Sequence, residues 1–228
     1  MSYYSEVVPI LVAVDCVIFG FDKERLKLLL FKRKIEPFKN EWSVIGSFIK
    51  PEESVKAAAV RVLEESTGLN NIFMDSLGCY GEVNRDSGAR VISQAFFALI
   101  RLGEEEIQIV ETHQARWFDF DSIPLLMLDH NDMISDALKK LGNKARYQPI
   151  GFELLSEKFT IPQLRKLYEA IYQRELDRRN FRKKILSMNI LDKLEEKDKS
   201  SSKKGAFLYQ FNQERYEKME EKGIDFVL

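Results

Sequence analysis

The segment that most restricts the fold of this chain runs from Gly46 to Leu69. Its first residues belong to an extended stretch rich in apolar residues, Trp42 to Ile49. Beyond Pro51, small and apolar side chains recur at helical intervals, and Thr67 with Gly68 ends that pattern. The segment therefore predicts a strand, a short loop and a helix with a defined end.

Residues 62, 65 and 66 lie on one face of this predicted helix, because they are separated by three and four positions. The face carries Val62, Glu65 and Ser66, so it offers one carboxylate and one hydroxyl beside an apolar group. Glu53 stands before the helix and Arg61 stands within it. This arrangement predicts an ion pair that ties the helix to the loop preceding it.

The same segment resembles the Nudix box, written G-x5-E-x7-R-E-U-x-E-E-x-G-U, where U is an aliphatic residue. Its register is fixed by matching positions at Glu53, Arg61, Leu63, Glu65, Gly68 and Leu69. Three positions depart from the box: Ser47 replaces its first glycine, Val62 the glutamate after the arginine, and Ser66 the second glutamate of the pair. The resemblance extends over about residues 9 to 145. It implies an α/β (α+β) Nudix-like sandwich.

The other elements predicted in the first 150 residues fit such a sandwich. Extended stretches are predicted at Ile10 to Phe21, Leu26 to Phe31, Leu77 to Val83, Val91 to Leu102 and Ala115 to Phe118. A second helix is predicted from about Asn131 to Leu141. Strands with inserted helices in a mixed order are typical of one sheet system covered by two or three helices.

The resemblance implies that a working Nudix enzyme holds Mg²⁺ or Mn²⁺ with three carboxylates on this helix face. The metal neutralises a diphosphate and activates water. Two of the three carboxylates are missing here, so the face suits a hard divalent cation poorly. We therefore predict no catalytic residues, no metal site and no cofactor. The alternative is a Nudix hydrolase of ADP-ribose or another nucleoside diphosphate derivative, with Glu82 or Glu111 supplying a carboxylate.

Charge is distributed unevenly along the chain, although the formal net charge is only −1. Residues 1–156 carry 18 Lys and Arg against 23 Asp and Glu, whereas residues 157–228 carry 17 against 13. The most basic stretch, Arg174 to Lys184, holds six cationic side chains. This asymmetry favours two domains, 1–150 and 151–228, of which the second has a polyanion as its partner.

The basic part predicts two helices followed by a hairpin. Thr160 and Gln163 have the spacing of a capping box, and an apolar stripe at helical intervals follows them. A second helix is predicted from Arg178 to about Met188. Ile190 to Glu195 and Ala206 to Phe211 then form a hairpin across a tip rich in serine and lysine. This order of elements indicates a winged helix-turn-helix domain.

The second of these helices and the hairpin tip carry the candidate DNA contacts. In a winged helix the second helix enters the major groove, where arginine pairs with guanine edges and asparagine with adenine. Lysines at the tip reach phosphate or the minor groove. The candidates are Arg178, Arg179, Asn180, Arg182, Lys183, Lys203 and Lys204. The alternatives are a solvated charged face and a surface that docks an acidic partner protein.

A Nudix-like domain followed by a winged helix resembles the Nudix-related transcriptional regulators, the NrtR-like family, over nearly the whole chain. The resemblance depends on the stretches Phe159 to Tyr172 and Leu176 to Lys184. It implies a homodimer that binds double-stranded DNA at a palindromic operator and a catalytically weakened Nudix domain that senses a small effector. Overall likeness favours the arabinose-regulator (AraR) branch, whereas other branches respond to ADP-ribose and control NAD metabolism.

We therefore expect a repressor of a sugar-catabolic operon that L-arabinose releases from DNA. A pentose needs hydroxyl partners and an aromatic wall. The candidate effector contacts are Arg33, Phe38, Trp42, Glu65 and Ser66. ADP-ribose is the alternative effector, because Arg33, Lys50 and Arg61 are able to hold phosphates.

No membrane partner is expected, because no apolar run approaches the roughly 18 residues that a membrane span needs. The N-terminus has no basic region ahead of an apolar one, so no secretory signal is predicted. The two cysteines are too few for a disulfide framework and lack the spacing of a zinc site. These features favour a cytoplasmic protein.

Overall fold

A computed structural model describes residues 6–22, 24–103, 115–199, 204–223 and 226–228. Its contacts divide the chain into two compact units. The first unit comprises Met1–Ile18, Leu28–Ala98 and Glu105–Ala137, and the second comprises Phe19–Lys27, Leu99–Glu104 and Leu138–Leu228. Because this division cuts through individual strands and one helix, the domain boundary between residues 150 and 151 stays a prediction.

A seven-stranded sheet forms the framework of the N-terminal part. Its strands are β1 (Leu11–Phe21), β2 (Leu26–Lys32), β3 (Trp42–Ser43), β4 (Ile45–Phe48), β5 (Phe73–Tyr80), β6 (Val91–Arg101) and β7 (Ala115–Asp119). They lie in the order β3-β2-β1-β6-β5, and β4 pairs with β1 and β7 with β2. The central strand β1 is buried without interruption from Ala13 to Phe21, which explains why most of its residues are apolar.

Helix α1 (Val55–Thr67) begins and ends at residues suited to those positions. The Ser54 hydroxyl accepts a hydrogen bond from the Ala57 N–H and so caps the first turn. Gly68 adopts the left-handed conformation, with φ of 71°, and donates its N–H to the Glu64 carbonyl. The predicted helix and its stop at Thr67 and Gly68 are confirmed.

The bounds of β5 and of the second helix differ most from the sequence prediction. Strand β5 begins at Phe73 and ends at Tyr80, whereas the prediction ran from Leu77 to Val83. Helix α2 (His130–Tyr147) passes its predicted end at Leu141 by six residues. It continues because Ala145 is buried and the last turn carries cations, which the negative end of the helix dipole favours.

The C-terminal part contains the predicted order of two helices and a hairpin. Its elements are β8 (Phe159–Thr160), α3 (Ile161–Tyr172), α4 (Arg178–Ser187), β9 (Leu191–Asp198), β10 (Ala206–Phe211) and α5 (Gln213–Glu221). The three strands form one sheet in the order β8-β10-β9. The prediction of a winged helix is confirmed. Within the described ranges, no helix is long and apolar enough to cross a membrane.

A complete capping box starts α3. The Thr160 hydroxyl accepts the Gln163 N–H at 3.3 Å, and the Gln163 side-chain oxygen accepts the Thr160 N–H at 2.8 Å. The predicted apolar stripe is the buried face of the helix, with Leu164, Leu167 and Tyr168 inaccessible to solvent. The capping box predicted from the sequence is therefore confirmed.

Candidate functional site

A cavity of about 520 Å³ opens in the first unit against one face of α1. Small-molecule sites commonly occupy roughly 300–1,000 Å³. The face of α1 that lines the cavity carries Val62, Glu65 and Ser66, as the helical spacing predicted. Three successive cationic residues, Lys32, Arg33 and Lys34, also line the cavity. Nε of Arg33 donates to the carbonyl oxygens of Ile35 and Pro37.

A group of buried polar side chains forms part of the cavity lining. Asp15, Arg85 and His130 line the cavity although they are only 7%, 9% and 3% exposed. They come from β1, from the loop between β5 and β6, and from the first residue of α2. Ser93 and Asp129 contact them from behind. We call these five residues the floor cluster.

The guanidinium of Arg85 joins the two carboxylates of the floor cluster. Its Nε and Nη2 donate to Oδ2 and Oδ1 of Asp129 at 2.8 and 2.7 Å. Nη2 also lies 3.4 Å from Oδ2 of Asp15, and the Ser93 hydroxyl donates to the same oxygen at 2.6 Å. Buried charges are tolerated when they are paired and hydrogen-bonded, so these contacts keep the cluster in one arrangement.

His130 adds a neutral ring to the floor cluster. Burial lowers the pKa of its imidazole below the ordinary value, because desolvation of the charged ring outweighs the attraction of Asp15 and Asp129. The ring is therefore neutral near pH 7. The floor cluster then carries two formal negative charges and one positive charge.

Gly46 gives the side chain of Asp15 its room. The two residues are paired in the antiparallel register of β1 and β4. A Cβ atom at Gly46 would lie 2.1 Å from Oδ1 of Asp15 and 2.9 Å from the carbonyl oxygen of Val14. Glycine is therefore required here by the close approach of a carboxylate to the backbone.

The ion pair predicted at the start of α1 is present. Nε and Nη2 of Arg61 donate to Oε2 and Oε1 of Glu53 at 2.8 and 2.6 Å, and Nη1 donates to Glu65 at 3.3 Å. The backbone N–H of Lys50 also donates to Glu53, at 2.8 Å. The hydrogen bonds from Arg61, followed by that from Lys50, lower the pKa of Glu53 to about 2. Both oxygens of Glu53 are thus engaged within the protein.

Three carboxylates line the cavity, those of Asp15, Glu65 and Asp86. Among the residues that the structure describes, no group of three or more His, Cys, Asp or Glu side chains is arranged to hold a metal ion. Glu82 lines a neighbouring depression together with Phe38 and Asp129. Glu111, the other candidate for a recruited carboxylate, lies outside the described residues.

The structure brings three of the five predicted effector residues to the cavity, namely Arg33, Glu65 and Ser66. Trp42 lines a different depression, and its ring packs edge-on against Phe118 with the centroids 5.0 Å apart. Phe38 lines the depression that also contains Glu82. Neither aromatic ring therefore lines the cavity that contains Glu65 and Ser66.

Sequence reasoning missed the floor cluster. One signal was available, since Asp15 interrupts an apolar strand and a buried carboxylate requires a partner. The sequence does not identify that partner, because Arg85 and Ser93 lie 70 and 78 positions away along the chain.

The predicted DNA-reading helix, α4, has one buried and one cationic face. Phe181 and Ile185 are buried. Asp177 caps the helix by accepting the Asn180 N–H at 2.8 Å. The exposed residues include all five candidates predicted on this helix: Arg178, Arg179, Asn180, Arg182 and Lys183.

The turn before α4 is held by Glu169 of α3. Its carboxylate pairs with Arg165 on the same helix and accepts the Leu176 N–H at 2.9 Å. A carboxylate that holds both a helix and the following turn fixes where α4 starts relative to α3.

The hairpin of β9 and β10 is the predicted wing. Nζ of Lys193 and Nζ of Lys197 lie 3.8 and 4.4 Å from the ring centroid of Phe207. Lys204 is exposed at the tip, next to Gly205 with φ of 69°. Lys203, the other candidate contact on the wing, lies outside the described residues.

Comparison with known protein families gives two matches. Residues 9–137 match the NUDIX domain, which is more than half of the chain. Residues 151–211 match the NrtR DNA-binding winged helix domain.

Two curated proteins illustrate the likeness. The ADPR responsive transcriptional repressor NtrR of Acinetobacter baylyi is 28% identical over 211 residues, which cover 91% of this chain and 84% of that protein. An ADP-ribose pyrophosphatase of Methanocaldococcus jannaschii is 36% identical over 128 residues, which cover 56% of this chain and 73% of that protein.

Solved structures of Shewanella oneidensis NrtR are also similar. Its complex with a 27mer DNA has a TM-score of 0.78 at 27% identity, over 90% of this chain and 95% of that chain. Its Nudix domain complexed with ADP ribose has a TM-score of 0.52 at 26% identity, over 62% of this chain and 99% of that chain. The chain therefore belongs to the Nudix family, carries an NrtR-type DNA-binding winged helix domain and is close to the NrtR transcriptional repressors.

Proposed function

We propose that this protein is a transcriptional repressor that binds operator DNA as a homodimer and releases it when ADP-ribose occupies the cavity beside α1. The exposed cationic face of α4 carries the proposal, because α4 stands where a winged helix places its recognition helix. A relative named as an ADPR responsive repressor supports it, as does a related structure in complex with DNA. A regulator of this kind works in the cytoplasm, where bacterial operators lie.

The residues of α4 and of the wing have different roles in DNA binding. Arginine reads guanine edges and asparagine reads adenine, so Arg179, Asn180 and Arg182 supply the sequence-specific contacts. Lysine binds phosphate as a point charge, so Lys183 and Lys204 supply contacts that are independent of sequence. Two recognition helices in a two-fold dimer fit a palindrome whose half-sites are roughly 34–36 Å apart.

An exposed apolar surface of the first unit supports the homodimer. Leu11 at the start of β1 and Phe48 on the neighbouring strand β4 are each more than 40% exposed, and they lie on one face of the sheet because Phe48 is paired with Ala13. Adjacent exposed apolar side chains mark surfaces that contact another protein. A palindromic operator binds two copies of a regulator, so the partner that we propose for this apolar surface is a second copy of this chain.

ADP-ribose is the effector that we propose. The cations that line the cavity, Lys32, Arg33 and Lys34, suit its diphosphate, and one relative is named for its response to this molecule. The sequence favoured L-arabinose and a sugar-catabolic operon, but none of the comparisons supports that choice. A free pentose stays a second candidate, because the floor cluster has a formal negative charge and a carboxylate able to accept hydroxyl hydrogen bonds.

We propose that the Nudix domain senses its ligand and does not hydrolyse it efficiently. The α1 face offers Glu65 and Ser66 beside the apolar Val62, and Glu53 is held by Arg61. This donor set does not fit Mg²⁺, which prefers several carboxylate and water oxygens. The observation that favours a hydrolase instead is the identity with an archaeal ADP-ribose pyrophosphatase.

Two measurements on the purified protein test this function. A gel shift at low salt with the promoter of its own operon should give a discrete complex, and absence of any shift would contradict DNA binding. Incubation with ADP-ribose and Mg²⁺ or Mn²⁺ should give turnover well below about 1 s⁻¹, and a faster rate would favour the hydrolase.

A further inference from the structure

The turn between α3 and α4 is not fixed by burial. Helix α3 ends at Tyr172, and α4 begins at Arg178. Of residues 173–177, Leu176 is partly buried and the others are exposed. The position of this turn therefore depends on its hydrogen bonds, because few apolar contacts hold it.

Glu169 of α3 ends that helix and also holds the turn after it. Its carbonyl oxygen accepts the backbone N–H of Gln173 and, at 3.2 Å, that of Arg174. Its carboxylate accepts the backbone N–H of Leu176 at 2.9 Å. Backbone and side chain of Glu169 therefore act together on the same turn.

Arg165, one helical turn earlier, completes this arrangement. Its Nη1 donates to the Glu169 carboxylate and, at 3.4 Å, to the carbonyl oxygen of Leu176. The side chains of Arg165 and Glu169 are 17% and 19% exposed, so water competes little for these hydrogen bonds. We call the two side chains the turn clamp, because together they bond both backbone polar groups of Leu176.

The turn clamp acts at the residue directly before the cap of α4. Leu176 is followed by Asp177, whose side chain caps the helix by accepting the Asn180 N–H. The hydrogen bonds at Leu176 therefore determine where α4 starts. An arginine that pairs with a base edge needs this precision, because a hydrogen bond weakens steeply when its geometry departs from the ideal. A lysine that contacts phosphate needs it less, because its ammonium group acts as a point charge.

We infer that Arg165 and Glu169 are positioning residues for operator recognition: through the backbone of Leu176 they hold α4 in the orientation that reads bases. The inference rests on the proposed function, in which α4 reads the operator. An ion pair that served α3 alone would stabilise the fold and leave the choice of DNA sequence unchanged. The two roles differ in the discrimination ratio, which is the affinity for operator divided by the affinity for scrambled DNA.

Anisotropy titrations of wild type, Glu169→Ala and Glu169→Gln test this role, with an operator taken from the promoter of the protein's own operon. Both substitutions remove one negative charge, so charge alone predicts tighter binding to every DNA sequence. They differ in the acceptor, since the glutamine amide keeps an oxygen for the Leu176 N–H and alanine does not. The matched control is Glu214→Ala on α5, which breaks an ion pair of the same spacing with Lys218.

We expect Glu169→Ala to lower the discrimination ratio roughly tenfold, which corresponds to the loss of about one base contact. Glu169→Gln should lower it much less, and Glu214→Ala should keep the wild-type ratio. An unchanged ratio in folded Glu169→Ala would overturn the inference. A loss as large in Glu169→Gln as in Glu169→Ala would overturn it as well, because the acceptor for Leu176 would then be irrelevant.

Melting temperatures measured without DNA establish which variants are folded. If Glu169→Ala does not fold, Arg165→Met decides instead, because methionine keeps a long side chain but has no donor for the Leu176 carbonyl. The discrimination ratio should again fall, and an unchanged ratio overturns the inference and leaves the proposed repressor standing. A wild type that binds operator and scrambled DNA equally overturns the proposed function itself.

Discussion

Glu53 joins the loop after β4 to α1 through its hydrogen bonds with Arg61 and Lys50, which lower its pKa from 4.5 to about 2. A depressed pKa in the folded state stabilises the fold above the unfolded value, and this stabilisation is lost as pH falls towards the folded value. We therefore expect wild type to exceed Glu53→Gln in free energy of unfolding at neutral pH. The difference should shrink between pH 4.5 and about pH 2. Urea denaturation across this range measures it, and a difference that does not change with pH would contradict the assignment.

Gly46 is the residue on which the position of Asp15 depends. In Gly46→Ala the new methyl group would meet Oδ1 of Asp15 at 2.1 Å and the Val14 carbonyl at 2.9 Å. We expect a loss of about 1–3 kcal/mol, as for other overpacked sites. The matched control is Gly78→Ala on β5, where a Cβ meets nothing within 4 Å. Chemical denaturation should leave this control within about 0.5 kcal/mol of wild type. Equal effects at the two glycines would contradict the steric account.

Base contacts and phosphate contacts are distinguished by single substitutions in the winged helix. Arg179→Ala and Arg182→Ala should each weaken binding to the specific operator by about 1–3 kcal/mol if the side chain pairs with a base. Lys204→Ala should weaken all DNA sequences alike and reduce the salt slope by about one unit. Anisotropy titrations with operator and scrambled DNA measure both effects, with Lys56→Ala on α1 as a control. If Arg179→Ala and Arg182→Ala weaken binding to operator and to scrambled DNA equally, α4 contacts only the DNA backbone.

At the level of elements, α3 depends on its first hydrogen bonds. Thr160→Ala removes the hydroxyl that accepts the Gln163 N–H, whereas Thr160→Ser keeps one. We expect Thr160→Ala to cost about 1 kcal/mol of stability, the usual value for loss of an N-cap. In thermal denaturation, the Thr160→Ser variant should have a higher melting temperature than the Thr160→Ala variant. The reverse order would show that packing of the threonine methyl group matters more than the cap.

The elements that the sequence predicted well are those with local chemical signals. Gly68 ends α1 and the Thr160 box starts α3, and each signal lies within a few residues of its effect. The bounds of β5 and α2 were predicted less well, because they depend on burial against distant residues. Ala145, for example, extends α2 because the fold buries it.

The candidate site was only half predictable for the same reason. The α1 face follows from helical spacing, and Glu65 and Ser66 on this face line the cavity. Arg85 reaches Asp15 across 70 positions and Asp129 across 44, and no periodicity encodes such pairings. Trp42 lies on β3 and packs on Phe118, and Phe38 lines a neighbouring depression, and the sequence pattern determines neither placement.

At the scale of the whole molecule, a repressor must convert ligand binding into a change of DNA affinity. The ligand has to bind the DNA-incompetent state more tightly than the DNA-bound state, because equal affinity for both shifts nothing. Typical couplings of about 1–3 kcal/mol change affinity roughly 5- to 150-fold. By reciprocity, operator DNA should weaken ADP-ribose binding by the same factor.

Operator affinity measured with and without saturating ADP-ribose tests the central claim most directly. Fluorescence anisotropy of a labelled operator should show affinity falling roughly 5- to 150-fold when ADP-ribose is present. Parallel titrations with L-arabinose and with ADP separate the effector from related molecules. If ADP-ribose binds the protein and operator affinity is unchanged, the protein is not an ADP-ribose-responsive repressor.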